Sequence, residues 1–275
     1  MFTLNCKGRL LVAEAPLVMG IINTTPDSFF AGSRTANDED LLTRAARMIG
    51  EGAAILDLGG QSTRPGSTLI PEAEELDRVV PAIEALHRAF PQQPISIDTF
   101  YASVARAAVA AGASIVNDVS AGTIDPALIP AVAALGVPYV LMHMRGRPQT
   151  MQEAPTYEDV TGEVFDFFSF RIAELSAAGI NDIIVDPGFG FGKTIAHNFE
   201  LLRKLSFLEK LGKPLLAGLS RKGTVYRTLG VTPEEALNGT TVLHTIALMN
   251  GASILRVHDV RAAMEAVTLF TAYRA

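Results

Sequence analysis

Eight times along the chain a short apolar run ends in a charged or hydrogen-bonding residue. The runs are VMGIIN ending at Asn23, AAILDL at Asp57, PISID at Asp98, ASIVND at Asn117 and Asp118, YVLMH at His143, DIIVD at Asp186, PLLAGLSRK at Lys222 and SILRVH at His258. Continuous aliphatic runs of this length suit parallel strands covered on both faces. Between most of them, apolar residues recur at helical spacing, as in 38–51, 72–90, 158–178 and 233–250. Strand and helix therefore alternate, and eight such units in 275 residues predict a single (β/α)8 TIM barrel, whose usual length is about 250 residues. A doubly wound open sheet is the competing arrangement; the count of eight favours closure. In a barrel of this kind the polar strand ends lie where active sites form. The opening segment MFTLNCKGRLLV, with Lys7 and Gly8 at a turn, predicts a short N-terminal β-hairpin suited to plug the barrel floor.

Composition narrows the picture. With 48% apolar residues the chain has enough material for a full core, and no Gly/Ser/Pro-rich or like-charge stretch marks a boundary, so one domain over 1–275 is expected. The net charge of −6 argues against a nucleic-acid protein, although a few basic residues suffice to hold a small anion in one cleft. Cys6 is the only cysteine, which excludes an intrachain disulfide and a cysteine-paired zinc site. Residues 1–12 break polarity too often for a signal peptide, and no run approaches the ~18 apolar residues of a membrane span. A cytoplasmic enzyme is expected.

The loops carry the chemistry. After the first strand, NTTPDSF (23–29) is a polar, turn-rich segment that makes a candidate lid, although Pro26 and Asp27 also suit a plain turn. After the second, DLGGQSTRPGS (57–67) offers the planar fork of Arg64 with Ser62 and Thr63 beside it, a combination suited to carboxylate or phosphate. Asp98 and Asn117 end adjacent strands, and their acceptors and donors match the NH, amino and ring-nitrogen edge of a purine-like or pterin-like heterocycle; Asp118 alternates to the other face.

DPGFGFGKT (186–194) is glycine-rich without being a nucleotide loop: a Walker motif needs glycine at Pro187, and a dinucleotide motif needs it at Lys193 or Ile195. What remains is Asp186, able to accept from a guanidine-like edge, and two phenylalanines, Phe189 and Phe191, of which one is expected to be core. GLSRKG and LRVHD bring Arg221, Lys222, Arg256 and His258 to the last two strand ends, where barrel enzymes often bind phosphate. The histidines form no metal-ligand pattern: His87 is expected at the surface, His244 packed, and His197 capping a helix. Carboxamide and carboxylate oxygens beside a diphosphate suit a weakly held Mg2+ better than zinc.

The segments MGIINTTPDSF, DLGGQSTRPGS, SIDT, NDVSAG, LMHMRGRPQTMQ, DPGFGFGKT, SRKG and RVHDV together resemble the dihydropteroate synthase family, pterin-binding barrels of folate synthesis, over essentially all of 18–260. The resemblance implies that 4-aminobenzoate displaces diphosphate from 6-hydroxymethyl-7,8-dihydropterin diphosphate. It implies that Asp98, Asn117, Asp186 and Lys222 hold the pterin, that Arg256, His258 and Asn23 bind the diphosphate, and that Asn23 also ligates Mg2+. Thr63, Arg64 and Pro65 would order 4-aminobenzoate, with Phe191, Ser220 and Lys222 lining its pocket. Asp98, Lys222, Arg256 and Arg64 are the expected catalytic residues, and a homodimer formed through the last helices and membership of a family targeted by sulfonamides are further implications. The chain departs from the commonest family pattern at Phe30, Ala31, Gln61 and Gly223. Two rivals differ in chemistry: a methyltetrahydrofolate-binding methyltransferase domain, which needs no diphosphate site, and a catalytically silent pterin-binding paralogue, which would have lost Arg64, Lys222, Arg256 or His258.

Overall fold

The computed structural model describes residues 1–24, 34–61, 69–146 and 155–275. Strands β1 (Phe2–Cys6) and β2 (Arg9–Ala13) pair antiparallel around Lys7 and Gly8. Both turn residues have positive φ, the backbone that a two-residue hairpin requires. This is the predicted N-terminal hairpin.

The eight predicted strands follow as β3 (Leu17–Asn23), β4 (Ile55–Gly59), β5 (Ile95–Asp98), β6 (Ile115–Asp118), β7 (Tyr139–Met142), β8 (Ile183–Asp186), β9 (Leu216–Ala217) and β10 (Ile254–Val257). They form one parallel sheet in the order β8-β7-β6-β5-β4-β3-β10-β9. Its two ends meet where Val185 bridges Leu215 and the Val185 amide donates to Pro214 O at 2.9 Å. The ring is therefore a barrel, and the open sheet is excluded.

Among the described residues the outer helices are α1 (Arg34–Gly50), α2 (Glu72–Ala89), α3 (Ala102–Ala111), α4 (Leu128–Leu135), α5 (Val160–Ala177), α6 (Ile195–Arg203), α7 (Gly223–Leu229), α8 (Leu237–Met249) and α9 (Val260–Arg274). Their starts follow local chemistry. Glu72, Glu74 and Glu75 occupy the first turn of α2, where the helix dipole favours anions. Thr194 and His197 cap α6 reciprocally, so His197 has its expected role; His87 is exposed and His244 buried, also as expected. Two elements are shorter than the pattern predicted. Residues 233–236 turn before α8 starts, and β9 leaves the sheet after Ala217, well short of Lys222.

The apolar residues divide into two layers. One fills the space between strands and helices. The other closes the floor: Met19, Ile55, Ile115, Val140, Ile184, Leu216 and Ile254, each at or near the start of its strand, pack with Leu4 and Cys6 of the hairpin. The plug expected of the hairpin is thus in place. Burial there pushes the Cys6 thiol up to about 11, so it is inert as a nucleophile at neutral pH.

Candidate functional site

The barrel mouth reverses the chemistry of the floor. Pairing register aligns Asn23 with Gly59, Gly59 with Asp98, and Asp98 with Asn117, so three of the sequence-predicted polar residues share one level of the ring. Asp57 lies two residues deeper, because β4 continues past it to Gly59.

Asp57 is fully buried and joins the others. Its Oδ2 accepts from Arg256 Nε at 2.6 Å and from Asn117 Nδ2 at 3.1 Å. Arg256 Nη2 then donates to Asp98 Oδ2 at 2.7 Å. Burial pushes the Asp98 carboxyl up to about 7 while the Arg256 guanidinium opposes that shift. An arginine flanked by two carboxylates keeps its proton, and its own pKa moves up for that reason. The three side chains therefore form a linked triad around Arg256 inside the barrel, with the second Asp57 oxygen unpartnered among the described residues. Asp57 ended a predicted run but had no predicted role. A charge inside AILDL and another inside ILRV were the available signal, because buried charges need partners. Asp98 caps no helix; the residue preceding α3 is Tyr101. Asp118 faces outward as alternation required, accepting from Ser120 N, Gly122 N and the Tyr139 hydroxyl.

A second cluster forms across β8, β9 and β10. Asp186 Oδ1 accepts from Gly188 N at 2.8 Å, and burial raises its carboxyl while Lys222 pulls it down. Lys222 Nζ donates to Phe189 O at 2.6 Å and stands 4.6 Å above the Phe191 ring. Burial lowers this ammonium to about 8. Of the two phenylalanines, Phe189 is core and Phe191 only partly buried, matching the expectation that one ring would be core. Ser220 Oγ lies 3.0 Å from His258 Nδ1 and accepts from the His258 amide at 3.2 Å.

The cationic side is smaller than the sequence suggested. Arg221 adopts φ 52°, and its side chain turns out of the mouth to pair with Asp259 through two nitrogens and to donate to Pro233 O and Glu234 O. His258 is neutral at pH 7, because burial and the nearby Arg256 push it down to about 4. Lys222 and Arg256 supply the charge.

Thr63, Arg64 and Pro65, with Ser62, lie outside the described residues, as do Pro26, Asp27, Phe30 and Ala31 of the first loop. The flanks of the second loop are described. The Gln61 amide pairs with both backbone groups of Ile70, and its Nε2 donates to Glu75 Oε2 at 3.0 Å. Glu75 is a buried carboxyl pushed up to about 7 by desolvation. A glutamate at 61 would set a second carboxylate against it, which gives a physical reason for the amide here. His143 and Lys193, neither with a predicted role, meet in a buried contact of 2.9 Å beside the second cluster.

The mouth thus presents carboxylates and a carboxamide for a nitrogen heterocycle, a lysine above an aromatic ring, and a guanidinium at the last strand end. A family model described as "Pterin binding enzyme" matches residues 19–258. The chain is 44% identical to the dihydropteroate synthase of Escherichia coli, covering 97% of this chain and 94% of that one. It superposes on the Yersinia pestis dihydropteroate synthase solved with a sulfonamide drug complex at a TM-score of 0.92, with 44% identity and 99% of each chain covered. It is also similar to the Xanthomonas albilineans dihydropteroate synthase in complex with 7,8-dihydropteroate, with a TM-score of 0.87, 42% identity, and 99% and 98% of the two chains covered.

Proposed function

The chain belongs to the pterin binding enzyme family, and from that membership we propose that it works as a dihydropteroate synthase. It condenses 6-hydroxymethyl-7,8-dihydropterin diphosphate with 4-aminobenzoate to give 7,8-dihydropteroate and diphosphate. The observation that carries this reading is the linked set Asp98–Arg256–Asp57–Asn117 at the mouth, which sets heterocycle-reading groups directly against an anion-binding guanidinium.

Asn117, Asp98, Asp186 and Lys222 hold the pterin. Asp186 Oδ2 and Asn117 Oδ1 make no hydrogen bond to a described residue, so they are available to an amino and ring-NH edge. Arg256, His258 and Asn23 take the diphosphate. Arg256 Nη1 carries no hydrogen bond to a described residue, and neutral His258 contributes an N–H donor. Phe191, Ser220 and Lys222 line the 4-aminobenzoate pocket, with Thr63, Arg64 and Pro65 ordering it from the second loop.

The chemistry follows from charge. Cleavage of the carbon–oxygen bond leaves positive charge on a methylene conjugated with the pterin while negative charge grows on the diphosphate. Arg256 and the N–H of His258 stabilise the departing anion and Asp98 offsets the cation, each already fixed before reaction. The aromatic amine needs no strong base, since its lone pair is free near neutral pH, so positioning supplies much of the rate.

The donor set also bears on Mg2+. No three His, Cys, Asp or Glu side chains among the described residues gather as a metal site, whereas Asn23 ends β3 level with Asp98 through Gly59. One carboxamide oxygen fits an ion that arrives with a diphosphate and keeps several waters. Asn23 would hold it, and it would supply charge neutralisation of the leaving diphosphate.

The chain works as one domain, in the cytoplasm, as a homodimer through α8 and α9, where Val242, Ile246, Met249, Leu269 and Tyr273 are exposed apolar residues. No helix among the described residues is long and apolar enough to cross a membrane.

The test is diphosphate release by purified protein with Mg2+ and dihydropterin diphosphate, with and without 4-aminobenzoate, while following dihydropteroate by chromatography. Release coupled to product is expected. Tight pterin binding with no product would replace this reading with the silent paralogue.

A further inference from the structure

Lys193 is one of the largest fully buried side chains in the protein, at 2% exposure, and it belongs to neither cluster that binds substrate in the proposed reaction. Its Nζ sits within hydrogen-bond reach of four acceptors: His143 Nδ1 at 2.9 Å, Gly188 O and Phe191 O at 3.1 Å each, and His143 O at 3.3 Å. An amine is tolerated in an apolar interior only when such a shell replaces its water. Burial draws Lys193 down to about 7, with Lys222 and Arg145 acting in the same direction and Asp186 opposing. Burial also pushes His143 down to about 2, which keeps its ring neutral and leaves Nδ1 able to accept from Lys193 Nζ.

The segment that Lys193 fastens has no regular secondary structure of its own. Gly188, Gly190 and Gly192 all take positive φ. A Cβ at Gly188 would stand 2.0 Å from His143 O, and one at Gly192 2.3 Å from Arg145 O, so glycine lets the loop press against the chain leaving β7. The two carbonyls that Lys193 holds, at 188 and 191, bracket the part of the loop that faces the mouth. That part supplies the Phe189 carbonyl that accepts from Lys222 and the Phe191 ring beneath the same ammonium.

We propose that Lys193, with His143 as its partner, is a positioning residue: a buried amine whose hydrogen bonds lock the 187–192 loop and thereby set Lys222 and Phe191 for the substrates. The functional half of this statement rests on the synthase reading; the half concerning Lys222 stands without it.

The test uses Lys193→Met, which keeps the unbranched chain and removes the donors. The first readout needs no substrate: the rate at which Lys222 reacts with an amine-directed acylating reagent across pH 7 to 10, followed by mass spectrometry of its peptide. Loss of the Phe189 contact is expected to change that rate at pH 7, below the Lys222 pKa of about 8, by about threefold, the size of a half-unit shift in an amine pKa. The second readout is dihydropterin affinity in a double-mutant cycle with Lys222→Met. Lys193→Met is expected to weaken binding about tenfold in the parent and less than twofold in the Lys222→Met background, because the two act as one unit.

Lys222 labelling identical to the parent, or equal weakening in both backgrounds, would overturn the proposal and leave Lys193 as a stabiliser of the fold alone. A parent protein with no pterin affinity but a shifted Lys222 in the variant would overturn the synthase reading while supporting the positioning role. If Lys193→Met does not accumulate as folded protein, His143→Leu removes one of the four contacts and is expected to shift Lys222 labelling in the same direction by a smaller factor; no shift there would equally overturn the proposal.

Discussion

The two ends of one set of strands carry opposite chemistry. At the floor, Met19, Ile55, Ile115, Val140, Ile184, Leu216 and Ile254 meet the Leu4 and Cys6 side chains of a hairpin, with no charge among them. At the mouth, Asp57, Asp98 and Arg256 form ion pairs and Asn117 joins them. A floor of aliphatic side chains gains stability from packing and from excluding water. The mouth holds polar groups out of bulk water, which costs stability except where each finds a partner. Their placement makes sense as preparation for a ligand, since fixed charges aimed at a reacting centre need no rearrangement during the reaction. The fold keeps the two demands apart by the length of a strand.

The largest effect that sharpens this contrast belongs to Asp98→Asn, which keeps the shape and removes the charge. Its kcat is expected to fall about 10²-fold, the usual scale for losing one preorganised electrostatic group, with a smaller change in pterin dissociation constant. Steady-state kinetics paired with calorimetric binding reads this directly. Equal losses in both quantities would assign Asp98 to binding alone.

Leu4→Ala breaks the floor in place of the mouth. Removing a fully buried leucine is expected to cost about 3 kcal/mol through lost burial and the cavity left behind, seen as a lower urea midpoint, with kcat per folded molecule unchanged. A fall in kcat with no loss of stability would contradict the separation of the two ends.

The smallest effect concerns a residue at neither end. His244 is buried in α8 with its Nε2 unpartnered among the described residues, and burial pushes it down to about 4. The unfolded chain binds a proton near pH 6.5 and the folded one does not until about 4, so the stability tied to neutral His244 is present above 6.5 and lost as pH falls towards 4. His244→Leu is therefore expected to flatten the acid-side decline by about 1 kcal/mol per pH unit. The raised carboxyls Glu75 and Asp98 act with the opposite sign and cancel between parent and variant. Superimposable stability profiles from pH 4.5 to 6.5 would contradict the assignment.

How much of this was legible in the chain follows from the range of each interaction. Runs such as DIIVD and SILRVH are local, so the strands, their order and the polar residues ending them could be read directly, and eight alternating units implied the barrel. Arg221 and Arg256 show where reading stops. Both stand near a strand end beside other basic residues, yet one turns outward to Asp259 and the other inward to two aspartates. The difference lies in a positive φ at Arg221, which no spacing rule reveals. The neutral state of His258 comes from burial, a tertiary property. The contact between His143 and Lys193 joins residues 50 apart in sequence through a loop that folds back on β7, and the triad around Arg256 depends on barrel closure bringing β10 beside β3 and across from β5. Pairings of that kind appear only when the ring is assembled.

The central claim, that chemistry occupies the mouth and stability the floor, is tested most directly by measuring dihydropteroate formation and urea midpoint on the same preparations of Asp98→Asn and Leu4→Ala. The expected result is a crossed pattern: Asp98→Asn loses turnover and keeps a midpoint close to the parent, while Leu4→Ala loses midpoint and keeps turnover. A pattern in which both variants lose both properties in proportion would show the two ends acting as one unit and contradict the account.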